Sequence, residues 1–424
     1  MSSTSAAHLA SGWQIGACLA RCTAIAWWSV AAAAETPDWT LEKGFLGAES
    51  FYYPASGAPG QNHGSIALTA QVELRGQLSQ GWSAKITPFG RVDPIDTHRS
   101  DFDLREAELD YSSGAWRYAF GMRRVSWSVT ESVNILPFQV VDIINQRDLA
   151  GDPAGQEKLG EAMATMSYQG ERTLAEIYLL PWFRRRRFPD IEQREQPFRG
   201  EVDLNDSVDY VSGARDHRPG AALRLEQTFD AANVALVQYR GYAPQPLLSP
   251  NFLTHRATEL YYLVDMSAVT VQATVGKWLL KSETAYFDTA SNPHGPSAIP
   301  GNYWASVSGL EYTFVRAVGD SDLGIIAEWM HDSRGTAPQG TPFPNDVFVG
   351  LRWTPNDQAD SQFLGGVVRG IDQRAAVAQL QYQRRIATQW QIKVIARGYA
   401  AQKASPLSAF NDDELLQMEL HFFF

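Results

Sequence analysis

Residues 412–424 read DDELLQMELHFFF, and this stretch decides the fold. Alternate positions form an apolar row, whereas the row between them is mixed; the apolar row is Leu416, Met418, Leu420, Phe422 and Phe424. Neighbouring side chains of a β-strand point to opposite faces, so the pattern predicts a strand with a lipid face and a lumen face. We interpret it as the closing strand of an outer-membrane barrel and as a signal for the barrel-assembly machinery. A terminal strand of a secreted sandwich is the alternative.

The first 34 residues have the features of an export signal. Arg21 is the only Lys or Arg before Lys43, and the apolar segment CTAIAWWSVAAAA follows it at 22–34. Small residues at the end of this segment fit signal-peptidase cleavage after Ala34. We therefore predict a signal peptide, residues 1–34, and a single exported barrel domain, residues 35–424.

Composition favours one large barrel over several soluble domains. No Pro-rich, Ser-rich or charged linker divides the 424 residues, and beyond residue 34 no apolar run approaches the length of a membrane-spanning helix. The net charge of -11 argues against a nucleic-acid partner. Both cysteines, Cys18 and Cys22, precede the predicted cleavage point, so we expect no disulfide or thiolate metal site in the exported chain.

Amphipathic segments separated alternately by short and long connections predict an all-β fold, a transmembrane antiparallel up-and-down barrel. In bacterial barrels the short turns face the periplasm and the long loops face outward. Sixteen strands are the alternative to eighteen, because the tenth segment is long enough to hide a bend. The eighteen predicted strands are 44–54, 64–77, 81–92, 101–112, 115–126, 162–169, 172–181, 219–229, 231–242, 257–275, 278–289, 302–315, 321–333, 345–354, 359–370, 374–385, 388–401 and 413–424.

Charged residues within these strands predict a polar lumen. A charge on the lipid face would cost about 2–4 kcal/mol at mid-bilayer, which favours the inward face. Both signs of charge occur in the predicted strands. The strand residues assigned to the solute path on this ground are Arg117, Arg123, Arg224, Glu226, Arg240, Lys281, Glu283, Arg352, Lys393 and Arg397.

Segment 127–161 is the best candidate for a constriction inside the barrel. A barrel of sixteen to eighteen strands is too wide for its own side chains to fill. The segment is too apolar for a solvated loop, since an exposed patch of its size would be unfavourable. We therefore predict an extracellular loop folded into the lumen; a rim cap or a contact with another subunit is the alternative. Its residues assigned to the solute path are Asn134, Phe138, Asp142, Asn145, Arg147 and Asp148.

The same region resembles a known family. Gly121, Arg124 and Trp127, followed by VVDIINQRDL at 140–149, are similar to the G-x-x-R-x-x-W and V-x-D-x-x-N-P-x-D-L patterns of a poorly characterised group of proteobacterial outer-membrane β-barrels. The resemblance implies a porin-like channel, in some members associated with hydrophobic or aromatic substrates and with inner-membrane exporters. Gln146 stands where the family has Pro, and Ser128 where it has Gly.

Segment 182–218 is predicted to be a long extracellular loop. It contains four consecutive arginines that suit the phosphates of lipopolysaccharide or an anionic solute. A solvated loop that pairs these arginines with its own acidic residues is the alternative. The arginines are Arg184, Arg185, Arg186 and Arg187.

The sequence therefore predicts a porin-like channel in the outer membrane of a Gram-negative bacterium, for passive diffusion or facilitated transport of small or amphipathic solutes. A facilitator of hydrophobic or aromatic substrates, an outer-membrane partner of an inner-membrane exporter, and a structural or adhesive barrel remain alternatives. A homo-trimer is the assembly considered, since porins are often trimers. No Gly-rich phosphate loop, HExxH or nucleophile elbow occurs, so we expect neither an enzyme nor a cofactor or metal site.

Overall fold

The computed structural model describes residues 38–131, 140–152, 157–292, 295–296, 298–337 and 340–424. Eighteen strands in this part of the chain form one barrel. They are β1 (Asp38–Tyr52), β2 (Gly64–Ser79), β3 (Trp82–Val92), β4 (Asp101–Ser113), β5 (Trp116–Arg123), β6 (Glu161–Gln169), β7 (Thr173–Leu180), β9 (Gly220–Thr228), β10 (Ala232–Tyr242), β13 (Leu263–Val275), β14 (Trp278–Asp288), β15 (Tyr303–Val318), β16 (Ser321–Asp332), β17 (Asn345–Thr354), β18 (Gln362–Gly370), β19 (Ala375–Ala387), β20 (Trp390–Ala401) and β21 (Leu415–Phe423).

Three other strands form a small separate sheet. They are β8 (Asp203–Tyr210), β11 (Leu247–Asn251) and β12 (Arg256–Tyr261). Strand β12 pairs antiparallel with β11 and parallel with β8. Among the described residues, none belongs to a helix that is long and apolar enough to cross a membrane.

The barrel closes between its first and last strands. Strand β21 pairs antiparallel with β1, from Phe45 opposite Phe423 to Tyr52 opposite Leu416. The Gly44 amide donates to the Phe424 carbonyl oxygen at 2.9 Å, and the Phe424 amide donates to the Gly44 carbonyl at 3.0 Å. Each predicted strand corresponds to one barrel strand, so the prediction of eighteen is confirmed and the alternative of sixteen is excluded.

The tenth predicted segment, 257–275, is wrong as one continuous strand. It contains β12, which belongs to the small sheet, and then β13, which belongs to the barrel; Tyr262 separates them. A single residue with no turn signal lies between the two parts, so the local sequence does not reveal that the chain leaves one sheet and enters another.

The barrel exposes an apolar belt on its outer surface. Leu68, Leu236 and Leu380 are each more than half exposed. In β21, Leu416 and Met418 point outward, whereas the intervening side chains are buried. An apolar surface that encircles a closed barrel is unfavourable in water and suits the hydrocarbon of a bilayer. The belt is therefore the lipid-facing surface of a transmembrane barrel.

The lumen has two different sides, although the sequence predicted a polar lumen. Inward side chains on β6 to β17 include many apolar residues, which form a buried cluster with the connection between β5 and β6. Trp127, Val141 and Ile143 of that connection pack in the cluster with Met266 and Phe287 of the wall. These wall positions are apolar because they contact protein and not water. We call this side of the lumen the apolar arc.

Candidate functional site

The connection 124–160 leaves the wall after β5 and crosses the lumen. Glu283, which is buried on the inner face of β14, accepts hydrogen bonds from the Ser128 hydroxyl at 2.5 Å, the Val129 amide at 2.6 Å, and the Thr130 amide at 3.0 Å and hydroxyl at 2.9 Å. The carboxylate is therefore the main anchor of residues 128–130 on a distant part of the wall.

The next residue extends this bridge to the far side of the barrel. The Glu131 amide donates to Glu328 of β16 at 2.7 Å, and the Glu131 carboxylate lies 2.7 Å from the Arg352 guanidinium of β17. Strand β17 lies half-way around the barrel from β5. The connection thus spans the lumen.

Two residues of the predicted constriction bind the two halves of this connection together. Asp142 accepts hydrogen bonds from the Ser128 amide at 3.1 Å and from Lys158 Nζ at 2.7 Å. The Asn145 side chain accepts from the Val125 amide at 2.7 Å and donates to the Leu159 carbonyl at 2.9 Å. Both side chains are buried, so they position the connection and do not face a passing solute.

The glycine, arginine and tryptophan of the first motif each have a structural reason. Gly121 has φ +129°, and a Cβ there would lie 2.0 Å from the Ala107 carbonyl oxygen, so a side chain would be both strained and obstructed. Arg124 lies 3.2 Å from the Glu106 carboxylate. Trp127 is buried and packs edge-to-face on Tyr178, with ring centroids 5.3 Å apart.

A cavity of about 580 Å³ lies between this connection and the opposite wall, formed by β1 to β4, β20 and β21. Three phenylalanines, Phe45, Phe51 and Phe89, also line it. Its lining contains seven Lys or Arg and six Asp or Glu side chains: Lys43, Lys85, Arg91, Arg105, Arg124, Lys158 and Lys393, and Glu49, Glu73, Glu106, Asp152, Glu157 and Glu419. We call it the polar channel.

Opposite charges alternate along the polar channel. Lys85 lies 2.9 Å from Glu106 and 3.6 Å from Glu73, and Lys393 lies 3.2 Å from Glu419. Such pairs place a cation and an anion side by side, so a solute that carries either charge, or both, meets a group of opposite sign. The lining therefore suits polar and zwitterionic solutes as well as simple ions.

Aromatic rings and guanidinium groups adjoin each other in the same channel. The Arg105 guanidinium lies 3.5 Å from the Phe89 ring centroid, and the Arg91 guanidinium lies 5.2 Å from it. Arg105 also pairs with the Glu157 carboxylate. A surface of this kind offers an apolar face and a cation together, as an amphipathic solute requires.

Among the predicted solute-path residues that the structure describes, Lys393 alone lines the polar channel. Several others lie in ion pairs on the lumen wall. Arg117 and Arg123 donate to Asp110 and Glu108, each at 2.6 Å, and Arg224 pairs with Glu226. Lys281, Glu283 and Arg352 hold the connection, and Arg397 donates to Gln379.

In the connection itself, Arg147 is buried, and Asp148 accepts from the Gly151 amide at 2.9 Å. Neither residue lines the polar channel. Asn134 and Phe138 lie outside the described residues.

Arg240 is wrong as a lumen residue. It shares the outward face of β10 with Leu236, whereas Val237 and Tyr239 are buried on the inner face. Its side chain is 66% exposed and lies 3.4 Å from Asp265. An outward charge is tolerated because Arg240 is near the end of β10 where the long connection begins, away from mid-bilayer.

Most residues of the channel lining, including Lys43, Lys85, Arg91 and Arg105, were not among the solute-path residues predicted from the sequence. The signal was present for Lys43, Lys85 and Arg91, since each lies in a strand whose alternate residues form the apolar belt. Arg105 lies at a register shift in the pairing of β3 with β4, so it and the next residue, Glu106, both line the channel, which simple alternation does not predict. Alternation assigns a residue to the lumen but does not distinguish open space from a packed interior. That distinction depends on where the connection lies.

The four consecutive arginines do not form an exposed cluster. Arg184 donates to Asp103 at 2.7 Å, and Arg187 donates to Asp101 at 2.5 Å. Arg186 is buried, and burial lowers its pKa to about 10. Arg185 is the member with a substantially exposed side chain, 41%, and it lies 3.6 Å from Glu259. Carboxylates on the wall and in the small sheet pair with Arg184, Arg185 and Arg187. Binding of lipopolysaccharide by these arginines stays a prediction.

Solved structures show what the fold is similar to. The chain resembles OccAB4 of Acinetobacter baumannii with a TM-score of 0.52 and 10% sequence identity, covering 92% of this chain and 98% of that one. It resembles OccAB1 of the same organism with a TM-score of 0.52 and 9% identity, covering 90% and 96%. Both are outer-membrane β-barrels, so the likeness supports the fold. No protein-family model and no curated protein sequence matches the chain.

Proposed function

We propose that this protein is an outer-membrane channel for small polar, charged or amphipathic solutes. The observation that carries the proposal is the polar channel, a cavity of about 580 Å³ with mixed charges inside a closed lipid-facing barrel. The fold neighbours, which are outer-membrane porins, support this assignment. Short turns at one end of the barrel would face the periplasm, and the long connections would face outward.

The channel charges provide a direct test in planar lipid bilayers. Arg124→Gln removes a cation from the channel, so we expect the permeability ratio to shift toward cations by about twofold or more. Glu106→Gln removes an anion and should shift the ratio in the opposite direction. Arg240→Gln is the matched control, because Arg240 lies on the outer surface. Unchanged selectivity in both channel variants would contradict the assignment of the solute path.

The preference for amphipathic solutes has its own test. Phe89→Ala removes the ring between Arg91 and Arg105, so liposome swelling with aromatic acids should slow relative to swelling with uncharged sugars of similar size. Phe102→Ala is a suitable control, since Phe102 is 77% exposed and does not line the channel. An equal change in the swelling rates for both classes of solute would indicate a change in channel width alone.

The alternative of a facilitator for hydrophobic substrates has less support. The apolar arc is filled by the chain's own Trp127, Val141 and Ile143, so these groups pack against the wall and do not line open space.

The structural or adhesive alternative has one supporting feature, the tip between β11 and β12, where Leu253 is 95% exposed. Loss of surface binding without loss of solute flux after replacement of Leu253 by Ser would favour that alternative.

A homo-trimer stays a prediction for the assembly. Cross-linking in native membranes, followed by electrophoresis under conditions that keep the barrel folded, would distinguish a trimer from a monomer.

A further inference from the structure

Residues 188–201, which we call the strap, lie across the long-connection end of the barrel. The strap follows Arg187, whose carbonyl accepts from the Leu149 amide of the luminal connection at 3.0 Å. It then contacts connection 53–63, where the Asn62 amide donates to the Glu192 carbonyl at 3.0 Å. It ends against connection 402–414 and β20. The strap therefore extends from the β7 side of the barrel to the β20–β21 side, over the polar channel.

Arg194 fixes the strap to the edge of the barrel. Its side chain has no exposed surface, and its guanidinium lies 2.7 Å from the Asp413 carboxylate. The same group donates to the Ala55 carbonyl at 3.0 Å and to the Asp412 carbonyl. It also lies 4.8 Å from the Tyr53 ring centroid. One side chain thus connects the strap to two of the long connections.

Glu195 makes the second attachment, on the inner face of β20. One carboxylate oxygen accepts from the Tyr399 hydroxyl at 2.7 Å and from Arg397 Nη1 at 3.2 Å. Its other oxygen is buried, and among the described residues no group hydrogen-bonds to it. The backbone of Glu195 has φ +56°, an unfavourable conformation for a residue with a side chain. The attachment therefore combines strong contacts with an unmet hydrogen bond and backbone strain.

The strap is close to the polar channel. A second cavity, of about 20 Å³, lies under Gln193 and Arg194 and has room for about one water molecule. Phe51 lines both this cavity and the polar channel. Movement of the strap would thus join the two spaces at this point.

We propose that the strap is a gate at the mouth of the polar channel, closed when Arg194 and Glu195 are bound to Asp413, Arg397 and Tyr399, and open when they are released. The proposal rests on the channel function proposed above. Arg194 and Glu195 form the latch of this gate. The structure corresponds to the closed state.

The latch is sensitive to pH because its carboxyl groups are buried. Burial raises the pKa of Glu195 to about 7, and it also raises the pKa values of Asp413 and Asp96, which accepts from Gln193 of the strap. A nearby arginine lowers each of these pKa values in part. Arg397 does so for Glu195, Arg194 for Asp413, and Arg99 for Asp96. Tyr399 donates to Glu195, Tyr53 lies beside Arg194, and Arg199 pairs with Asp412 at the rim.

The direction of the pH effect follows from linkage. Release returns the carboxyl groups to water and to lower pKa values, so the closed state binds more protons than the open state. Acid therefore favours closure. The closed state loses this advantage as pH rises between the ordinary Glu pKa of 4.5 and the value of about 7 in the latch.

Single-channel recording of the full-length protein tests the latch. We expect the open fraction of the native protein to rise between pH 5 and pH 8. Glu195→Gln resembles the protonated latch, so it should stay mostly closed at pH 8. Arg194→Gln loses the Asp413 ion pair and should raise the open fraction at pH 5 by about tenfold or more. Glu192→Gln, an exposed residue of the strap, is the control and should behave as the native protein.

Thiol labelling gives a readout that does not depend on conductance. The predicted mature chain has no cysteine, so Gln71→Cys would place one thiol in the polar channel. A membrane-impermeant maleimide added outside intact cells should label it slowly, and faster when Arg194→Gln is also present. The gate would be overturned if neither the conductance nor the labelling rate changed with pH or with the latch variants. Labelling that responds to the latch without conductance under any condition would support the gate and contradict the channel function.

Discussion

Glu131 and Arg352 lie 2.7 Å apart although their parent elements leave opposite sides of the barrel. Arg352 also lies 2.9 Å from Glu311, and Lys281 lies within 4 Å of both carboxylates. Two cations and two anions from three strands and the luminal connection therefore form one network. This network holds residues 128–131 in the lumen and so determines which side of the lumen stays open.

Removal of Arg352 should loosen the luminal connection. Arg352→Gln leaves Glu131 and Glu311 with one fewer cation, so we expect the free energy of unfolding to fall by about 1–3 kcal/mol and the current noise of open channels to increase. The double variant with Glu131→Gln should lose less than the sum of the two single variants. Arg384→Gln, on the exposed face of β19, is the control. Additive losses would show that the pair contributes no coupling energy.

Glu283 should tolerate replacement by Gln better than by Leu. All four hydrogen bonds from residues 128–130 end on one carboxylate oxygen, which the Gln amide oxygen can replace without the charge. Leu would leave these buried donors unpaired, at a cost of about 3 kcal/mol or more. The temperature at which the barrel loses its compact migration on electrophoresis measures the difference. Glu226→Leu is the control; an equal loss in that variant would show that Glu283 has no special role.

Gly121 should not accept even a methyl group. Gly121→Ala places a Cβ 2.0 Å from the Ala107 carbonyl oxygen at φ +129°, so the β4–β5 pairing must shift, at a cost of at least about 2 kcal/mol. Gly90→Ala is the matched control, because a Cβ at Gly90 has no atom within 4 Å. Denaturation in detergent would compare the two variants. Equal stability would indicate that the backbone at position 121 relaxes without penalty.

Phe424 should be needed for assembly of the barrel. Its backbone closes the ladder with Gly44, and its ring lies beside the site of a Cβ on Gly44, at 2.7 Å. Phe424→Asp brings a charge to the lipid-facing end of this closing pair, so we expect less folded protein in the outer membrane. Leu253→Asp, at an exposed tip, tests whether any added acid has this effect. Wild-type amounts of heat-modifiable barrel would contradict the predicted role of Phe424.

Much of the barrel could be predicted from the sequence, because a strand that crosses a bilayer must place apolar side chains on its lipid face. Lipid excludes charges, so residues such as Lys393 and Glu419 must face inward when their neighbours Val394 and Met418 face outward. The same alternation predicted eighteen strands, joined by short turns at one end of the barrel and by longer connections at the other. It failed where that constraint is absent: at Arg240, which is near the end of its strand, and at 257–275, where β12 lies outside the barrel.

The sequence by itself determined the closed barrel and the faces of most strands, since both follow from a period of two and from the cost of charge in lipid. Only the tertiary structure decided which part of the lumen is open. Arg397 illustrates the reason: alternation places it inward, but its partner Glu195 is 202 residues away and reaches it only because the strap crosses the mouth. Such contacts depend on how the long connections fold, and no local sequence pattern predicts the fold of those connections.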